Sequence, residues 1–521
     1  MKLLLVAAAV AVALVPGAGA RSEQQLRLLG LSSQVISPNG NGVNDTLRVH
    51  VTASPGAVLG LRAYVWGGRL VGWKRIHTGV TVSGGTTLTW NATTSTGHPL
   101  ADGTYVVTVC AEDAGRLLPA EGVARPGAAE ASVRRPPWHR SGCLPEPRVI
   151  RVERLAAFVD STRSYEPGAV APLVVSADRG EASASVSEDC RGTAVAHLGF
   201  PQGTVPSGDR PGLYHFHVRD PAGDEFQAPL VVRDPRPLDK PLPHTALVVW
   251  PYLTWRAYSA YDADLNGIPD SWYQFWRQRR ISLRGPLLRD GVEDDHKAVA
   301  PFSRWLCSRP SHRTQHITDV ELGRLPLSTL RRYSAIVFPG HSEYYEPKTY
   351  DLLMHYREQG GNLIFLQANP FYRQVRVEPE KNAVVMTDYD AREGRSDFAI
   401  AGVGYDGCCF PHVRGRPYVA ATGRDYERVR WLFRGTGIGP GQPFGIAYSE
   451  SDRIDPELTP RDHVVAGLAI IAGKRGVITP SLVWSHAGKG SSFATGNYSF
   501  LRMNKGLTYK LLDNAWRKLV G

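Results

Sequence analysis

The chain is poor in three things. Its 521 residues hold six cysteines, Cys110, Cys143, Cys190, Cys307, Cys408 and Cys409, and no two are spaced Cys-x-x-Cys, which excludes a zinc ribbon. It has no dense Lys/Arg block. The 60 basic and 49 acidic residues are dispersed and leave a net charge of +11, modest for this length. Without a concentrated basic patch or a recognisable module, no nucleic-acid partner is expected. Finally, no apolar run after the N-terminus is long enough to cross a bilayer, so no transmembrane span is expected once the leader is removed.

The N-terminus has the one sustained apolar run, from Leu3 to about Val15, after Lys2 and before Ala18-Gly19-Ala20. A charged start, an apolar stretch and a small-x-small site form a signal peptide, residues 1–20, with cleavage expected after Ala20. The mature protein is expected to be secreted or held at the cell surface. In that setting an even number of cysteines favours disulfides. Cys110 and Cys143 can pair within the first domain, and Cys307 with Cys408 or Cys409 in the last.

Residues 21–113 read as a small β-sandwich. SPNGNGVNDTLRVHV and TTLTWNATTSTGHPLADGTYVVTV alternate apolar and polar residues between Gly/Asn/Asp turns. The set Ser37-Pro38-Asn39-Gly40-Asn41-Gly42-Val43-Asn44-Asp45, Leu88-x-Trp90-Asn91, Gly97 and Asp102-Gly103-x-Tyr105 resembles the Ig-like module of flagellar-hook capping (FlgD-like) proteins. That resemblance implies a spacer or assembly role and an association with the cell envelope. Residues 114–150, rich in Pro, Arg and Ala, read as a linker. A second β-sandwich is expected over 151–236, ending at the Pro-rich PRPLDKPLP.

From 237 to 521 the pattern changes. The apolar runs ALVVW, YSAIVF and NLIFLQ alternate with helix-like stretches such as PKTYDLLMHYREQGG, which has Pro347 at its start and Gly360-Gly361 at its end. Buried strands alternating with helices predict an α/β domain with a mostly parallel sheet, whose ligand residues lie beyond the strand C-termini. The stretch FPGHSEYYEP occupies such a position, and an ordinary turn has no need of its histidine, glutamate and tyrosines. Each residue also has a plain structural role open to it. Glu343 can pair with an arginine or cap the next helix. Tyr258, Tyr344 and Tyr345 can be packing aromatics, His341 a structural hydrogen-bonder, and Asn369 a turn residue before Pro370.

Taken in order, Thr254-Trp255-x-Ala257-Tyr258, Thr318-Asp319-Val320-x-Leu322, Gly340-His341-x-Glu343-Tyr344, Gly361-Asn362, Asn369-x-Phe371-Tyr372 and Ala494-Thr495-Gly496 resemble the C-terminal domain of the N,N-dimethylformamidase large (beta) subunit family. The resemblance implies a core like that of class I glutamine amidotransferases and hydrolysis of a C–N amide bond. It also implies a ferric ion (Fe3+) held by two tyrosines and a glutamate. By motif, Tyr258 and Glu343 fall on metal ligands, while His341 and Asn369 fall on catalytic residues beside the metal. Where the family has its second tyrosine this chain reads Ser282-Leu283-Arg284-Gly285-Pro286-Leu287, with Leu287 in place of a phenol. Tyr261 or Tyr273 could substitute. In a complete site the cation would hold a phenolate deprotonated and polarise the amide carbonyl, with His341 moving the proton and Asn369 orienting the carbonyl.

Two further sites are open. Asp262, Asp264, Asn266 and Asp270, with Gly267 among them, follow the oxygen-ligand spacing of a calcium loop, although Tyr273 stands where the bidentate glutamate belongs. They equally suit a turn rich in Asx residues. Cys408-Cys409 with His412 is a weaker thiol candidate. The expected ligand is a small amide or another polar molecule. The alternative is a catalytically degenerate binding protein that keeps the same pocket.

Overall fold

The computed structural model describes residues 26–32, 35–36, 45–53, 58–65, 70–77, 85–94, 96–100, 103–112, 143–144, 148–177, 182–188, 194–198, 202–205, 210–221, 223, 225–259, 261, 270–272, 279–287, 299–388, 395–407, 415–448, 450–473 and 476–521. In the strand Leu47–Thr52, Leu47, Val49 and Val51 are buried while Arg48 and His50 are exposed. That period-two pattern faces one side of a three-stranded antiparallel sheet toward a five-stranded sheet. Leu59, Leu61, Trp90, Val107 and Ile150 lie in the core between them. The strand Arg148–Val152 belongs to this sandwich, antiparallel to Gly103–Glu112, and a disulfide joins Cys110 in the latter strand to Cys143. A second pair of sheets, three- and four-stranded, encloses Val186, Tyr214, Phe216 and Leu230.

The remainder is built on a nine-stranded sheet. Arg313–Thr318, Thr245–Trp250, Ala335–Phe338, Asn362–Phe365 and Gly490–Ala494 are successive parallel neighbours. Thr245–Trp250 is buried at every position, as a strand covered on both faces requires. Ala246, Val248 and Trp250 join one apolar core; Leu247 and Val249 join another on the opposite face. The helix Pro347–Glu358 starts with proline in its first turn, where the missing N–H leaves no bond unmade, and Gly360 follows it at φ +108°.

The expectation of a mostly parallel sheet needs correction. Beyond Gly490–Ala494 the neighbours Ser481–Ala487, Asp462–Leu468, Arg416–Ala420 and Pro443–Ala447 are all antiparallel. Ser481–Ala487 and Gly490–Ala494 are joined by a tight turn with Gly488 at φ +67°, and a short hairpin of this kind has no room for a crossover helix. The sheet is therefore mixed, and the chain as a whole is β-rich.

The second sandwich is fastened to this domain by polar contacts. The Ser164 N–H and hydroxyl donate to Glu321 at 2.8 and 2.9 Å, while Glu321 also closes a capping box with Thr318. Arg284 meets Asp160 at 3.0 Å. Cys307 is disulfide-bonded, and Cys190, Cys408 and Cys409 lie outside the described residues. Among the described residues no helix is long and apolar enough to cross a membrane.

Candidate active site

The site is assembled at the carboxyl ends of Ala335–Phe338 and Asn362–Phe365. The chain leaves the first strand through Gly340, where a Cβ would meet Pro251 Cγ at 2.6 Å, so only glycine allows this approach. Glu343 is then fixed on both sides: its N–H donates to Thr254 Oγ1 at 3.0 Å and its carbonyl accepts from Arg373 N–H at 2.9 Å. Tyr344–Tyr345 pairs in parallel with Arg373–Gln374, so the HSEYY loop forms the edge of a second, four-stranded sheet. Tyr345 and Tyr350 pack into the core and donate their hydroxyls to the carbonyls of Arg395 and Ser396, which is a structural role.

Tyr258 ends the helix Tyr252–Tyr258. The carboxylate of Asp319 accepts the Leu253 N–H at that helix's start, and Arg256 binds the carbonyls of Ser282, Gly285 and Pro286. The Thr318-Asp319 motif thus positions the helix that carries Tyr258. The Tyr258 hydroxyl donates to Glu343 Oε2 at 2.7 Å, and its ring stands edge-on to His341 and Tyr344 at 5.9 and 6.5 Å. Burial, followed by the nearby Glu343 charge, pushes the Tyr258 hydroxyl well above the usual phenol range, so it is a neutral donor. Burial also raises Glu343, opposed by the adjacent His341.

The loop after Asn362–Phe365 brings Asn369 to the same place. Asn369 and Phe371 both lie in the left-handed region, at φ +56° and +55°. Asparagine tolerates this; phenylalanine seldom does. The Phe371 N–H bond to the Ser342 carbonyl at 2.8 Å, together with ring contacts to Phe338, Phe365 and Tyr345, holds the turn. Asn369 Nδ2 donates to Glu450 Oε1 at 2.6 Å, and its backbone N–H lies 3.1 and 3.2 Å from the two carboxyl oxygens of Asp452.

Glu450 and Asp452 were not singled out in the sequence. Glu450 Oε2 lies 3.3 Å from His341 Nε2, at ion-pair distance, although that nitrogen has no aligned hydrogen bond among the described residues. Burial pushes the Glu450 carboxyl from 4.5 to about 7, with the Asn369 amide opposing it. Asp452 is fully buried, and burial holds its pKa well above the carboxylate range. The Glu450 carbonyl accepts from Asn497 Nδ2 at 3.1 Å and Tyr498 N–H at 3.0 Å. No sequence motif marks YSESDR (448–453) as part of a site.

The structure therefore brings together Tyr258, Glu343, His341 and Asn369, and adds Glu450 and Asp452. Among the described residues it does not complete the expected three-oxygen metal set. Leu287 is buried in the same apolar core as Tyr344 and offers no donor atom, while Tyr258 and Glu343 are already hydrogen-bonded to each other. Among the described residues no group of three or more His, Cys, Asp or Glu side chains could hold a metal ion. Asp262, Asp264 and Asn266 of the calcium expectation lie outside the described residues, as do Tyr273 and His412. Asp270 is described: it is buried, and its N–H donates to the Tyr261 carbonyl at 3.0 Å.

The sheet, with this cluster at its carboxyl edge, belongs to a defined class. The profile of the family described as N,N-dimethylformamidase beta subunit-like, C-terminal, matches residues 201–503, and the chain belongs to that family. Among curated proteins none matches it. Three solved structures illustrate the remaining likenesses. The β-galactosidase Gan42B of G. stearothermophilus is 13% identical, with 53% of this chain and 30% of that chain covered, at a TM-score of 0.31. A ThuA-like protein of Bacteroides uniformis is also 13% identical, over 53% of this chain and 91% of that one, at 0.30. The N-terminal four Ig domains of Dscam1 are 15% identical over 40% and 46%, at 0.15. This chain thus spans less than a third of the galactosidase, and at these scores none of the three bears on function.

Proposed function

We propose that the protein is an exported hydrolase of small linear amides, with proton transfer carried by Glu450 and His341. The observation that carries this reading is that Glu450, with its pKa near 7, lies at 3.3 Å from His341 Nε2 and 2.6 Å from Asn369 Nδ2. A carboxyl titrating near the working pH is suited to both halves of an amide hydrolysis. As a carboxylate, Glu450 takes a proton from water while the water oxygen bonds to the amide carbon. As an acid, it or His341 returns that proton to the amine nitrogen as the C–N bond breaks. Water and amide become carboxylic acid and amine. Asn369, held by Asp452 and Glu450, orients the carbonyl, and the Tyr258 phenol remains a neutral hydrogen-bond donor.

Family membership supports the amide as substrate and a core like that of class I glutamine amidotransferases. A ferric ion would polarise the carbonyl, with Tyr258 and Glu343 as its oxygen donors. The ligand set lacks its third side chain at Leu287, so no step above depends on the metal. A calcium ion on Asp262, Asp264, Asn266 and Asp270 would be a separate structural clip.

Leu287 favours a second reading, a binding protein in which the pocket holds a polar ligand without turning it over. The deciding experiment measures metal content and amine release from a panel of small amides, using the chain from residue 21 onward. Amine release that falls at least about 100-fold in Glu450→Gln supports the hydrolase. No turnover of any amide by folded, iron-offered protein leaves the binding reading. About one iron per chain, lost in Glu343→Ala, would restore the metal to the mechanism. N-terminal sequencing of exported material tests cleavage after Ala20.

A further inference from the structure

The second sandwich and the α/β domain do not close completely on each other. Between them lies a cleft of about 210 Å³. It opens where Thr245–Trp250 and Arg313–Thr318 begin, at the opposite end of those strands from the helix carrying Tyr258, and it shares no lining residue with the His341 cluster.

The lining is unevenly charged: four arginines against two carboxylates, Glu188 and Asp234. Arg236 and Arg309 are committed to Asp234 and Asp513 at 2.9 and 2.7 Å. Arg210 and Arg313 are exposed, each gives one bond to a backbone carbonyl, of Cys307 and Pro243 respectively, and neither forms an ion pair among the described residues. Guanidinium groups with open donors are suited to a carboxylate, and these two stand one on each side of the domain junction.

The walls also carry apolar side chains, Trp250 and Leu306 among them, and two polar atoms are left over. Among the described residues the Ser303 hydroxyl, on a side chain 7% exposed, has no hydrogen-bond partner, and the buried His312 Nε2 likewise has none. Leaving a buried hydroxyl or ring nitrogen unpaired is unfavourable, so such atoms in a cleft wall mark where a ligand's polar group belongs.

We infer that this inter-domain cleft binds a small organic carboxylate with an apolar body and a hydrogen-bonding group at its far end. The carboxylate lies between Arg210 and Arg313, and the far group meets Ser303 and His312. Because the residues come from both domains, occupancy also fastens the second sandwich to the α/β domain.

The test uses 4-hydroxybenzoate, benzoate and 4-hydroxybenzyl alcohol, titrated calorimetrically into the chain from residue 21. Saturable binding of 4-hydroxybenzoate is expected, at least tenfold tighter than the alcohol that lacks its carboxylate. The double variant Arg210→Ala/Arg313→Ala alters exposed side chains only and should erase that tenfold difference. Ser303→Ala should abolish the preference for 4-hydroxybenzoate over benzoate while leaving benzoate binding unchanged. The inference is overturned if 4-hydroxybenzoate shows no saturable binding, or if it binds the double variant as tightly as the parent.

Discussion

The two halves of the nine-stranded sheet contribute to the candidate site in different ways. The parallel half supplies His341, Glu343 and Asn369 from loops directly after buried strands, so each active group follows an apolar run in the sequence. Past the antiparallel strand Pro443–Ala447 the chain supplies Glu450 and then Asp452, the latter in the strand Ser451–Arg453 of a separate two-stranded sheet, with Asn497 behind them. The parallel half sets the position of the groups. The segment at 450–452 adds two carboxyls whose burial raises both pKa values, with the bonds from Asn369 opposing the shift.

The sharpest way to break this division is to compare one residue from each half. His341→Ala and Glu450→Gln should both lower amide turnover by at least about 100-fold, and the double variant should be little worse than either, since paired proton carriers act as a unit. Additive losses in amine-release rates would separate the two halves functionally.

A smaller effect is expected from the Asp452 clamp. Asp452→Ala leaves the Asn369 N–H buried without its acceptor and should cost about 1–3 kcal/mol in denaturant unfolding. Asp452→Asn retains an acceptor oxygen and, because burial disfavours a charge at this position, should cost less. Equal losses would show that charge at Asp452 matters more than the bond.

The pH dependence of stability sharpens the comparison. Glu450 is neutral in the unfolded chain only below about 4.5 but stays protonated in the folded protein up to about 7. Its burial is therefore harmless at low pH, and its destabilising effect grows as pH rises from about 4.5 through 7. Glu450→Gln should be more stable than the parent by about 1–3 kcal/mol at pH 8, and the gap should close below pH 4.5. An unchanged gap across that range would place the carboxyl in a less buried setting.

The smallest effect is expected at Tyr258→Phe, which removes one hydrogen bond to the buried Glu343 and should cost about 1 kcal/mol. A loss above about 3 kcal/mol would show that the phenol, more than Thr254 and Arg373, holds the HSEYY loop.

Asn497-Tyr498-Ser499 matches a glycosylation sequon, but Asn497 is fully buried and its Nδ2 lies within bonding distance of the Tyr448 and Glu450 carbonyls and Ser451 Oγ. Three residues cannot report that burial, which depends on the strand Gly490–Ala494 before them and on Tyr448, Glu450 and Ser451 bonded to Asn497.

The sequence alone determined whatever local pattern governs: alternation in the sandwiches, continuous apolar runs in the parallel strands, the proline and glycine bounding Pro347–Glu358, and a histidine and glutamate in a loop where a plain turn would have sufficed. It also carried the family, through motifs kept in order from Thr254 to Gly496. Only the tertiary structure decided that half of the large sheet runs antiparallel, that Asn369 meets a glutamate 81 residues further along the chain, and that Leu287 is core. The physical reason is range. A strand or turn is specified by neighbours in the chain, whereas a shifted carboxyl is a property of burial, and burial is set by distant segments that the sheet register brings together.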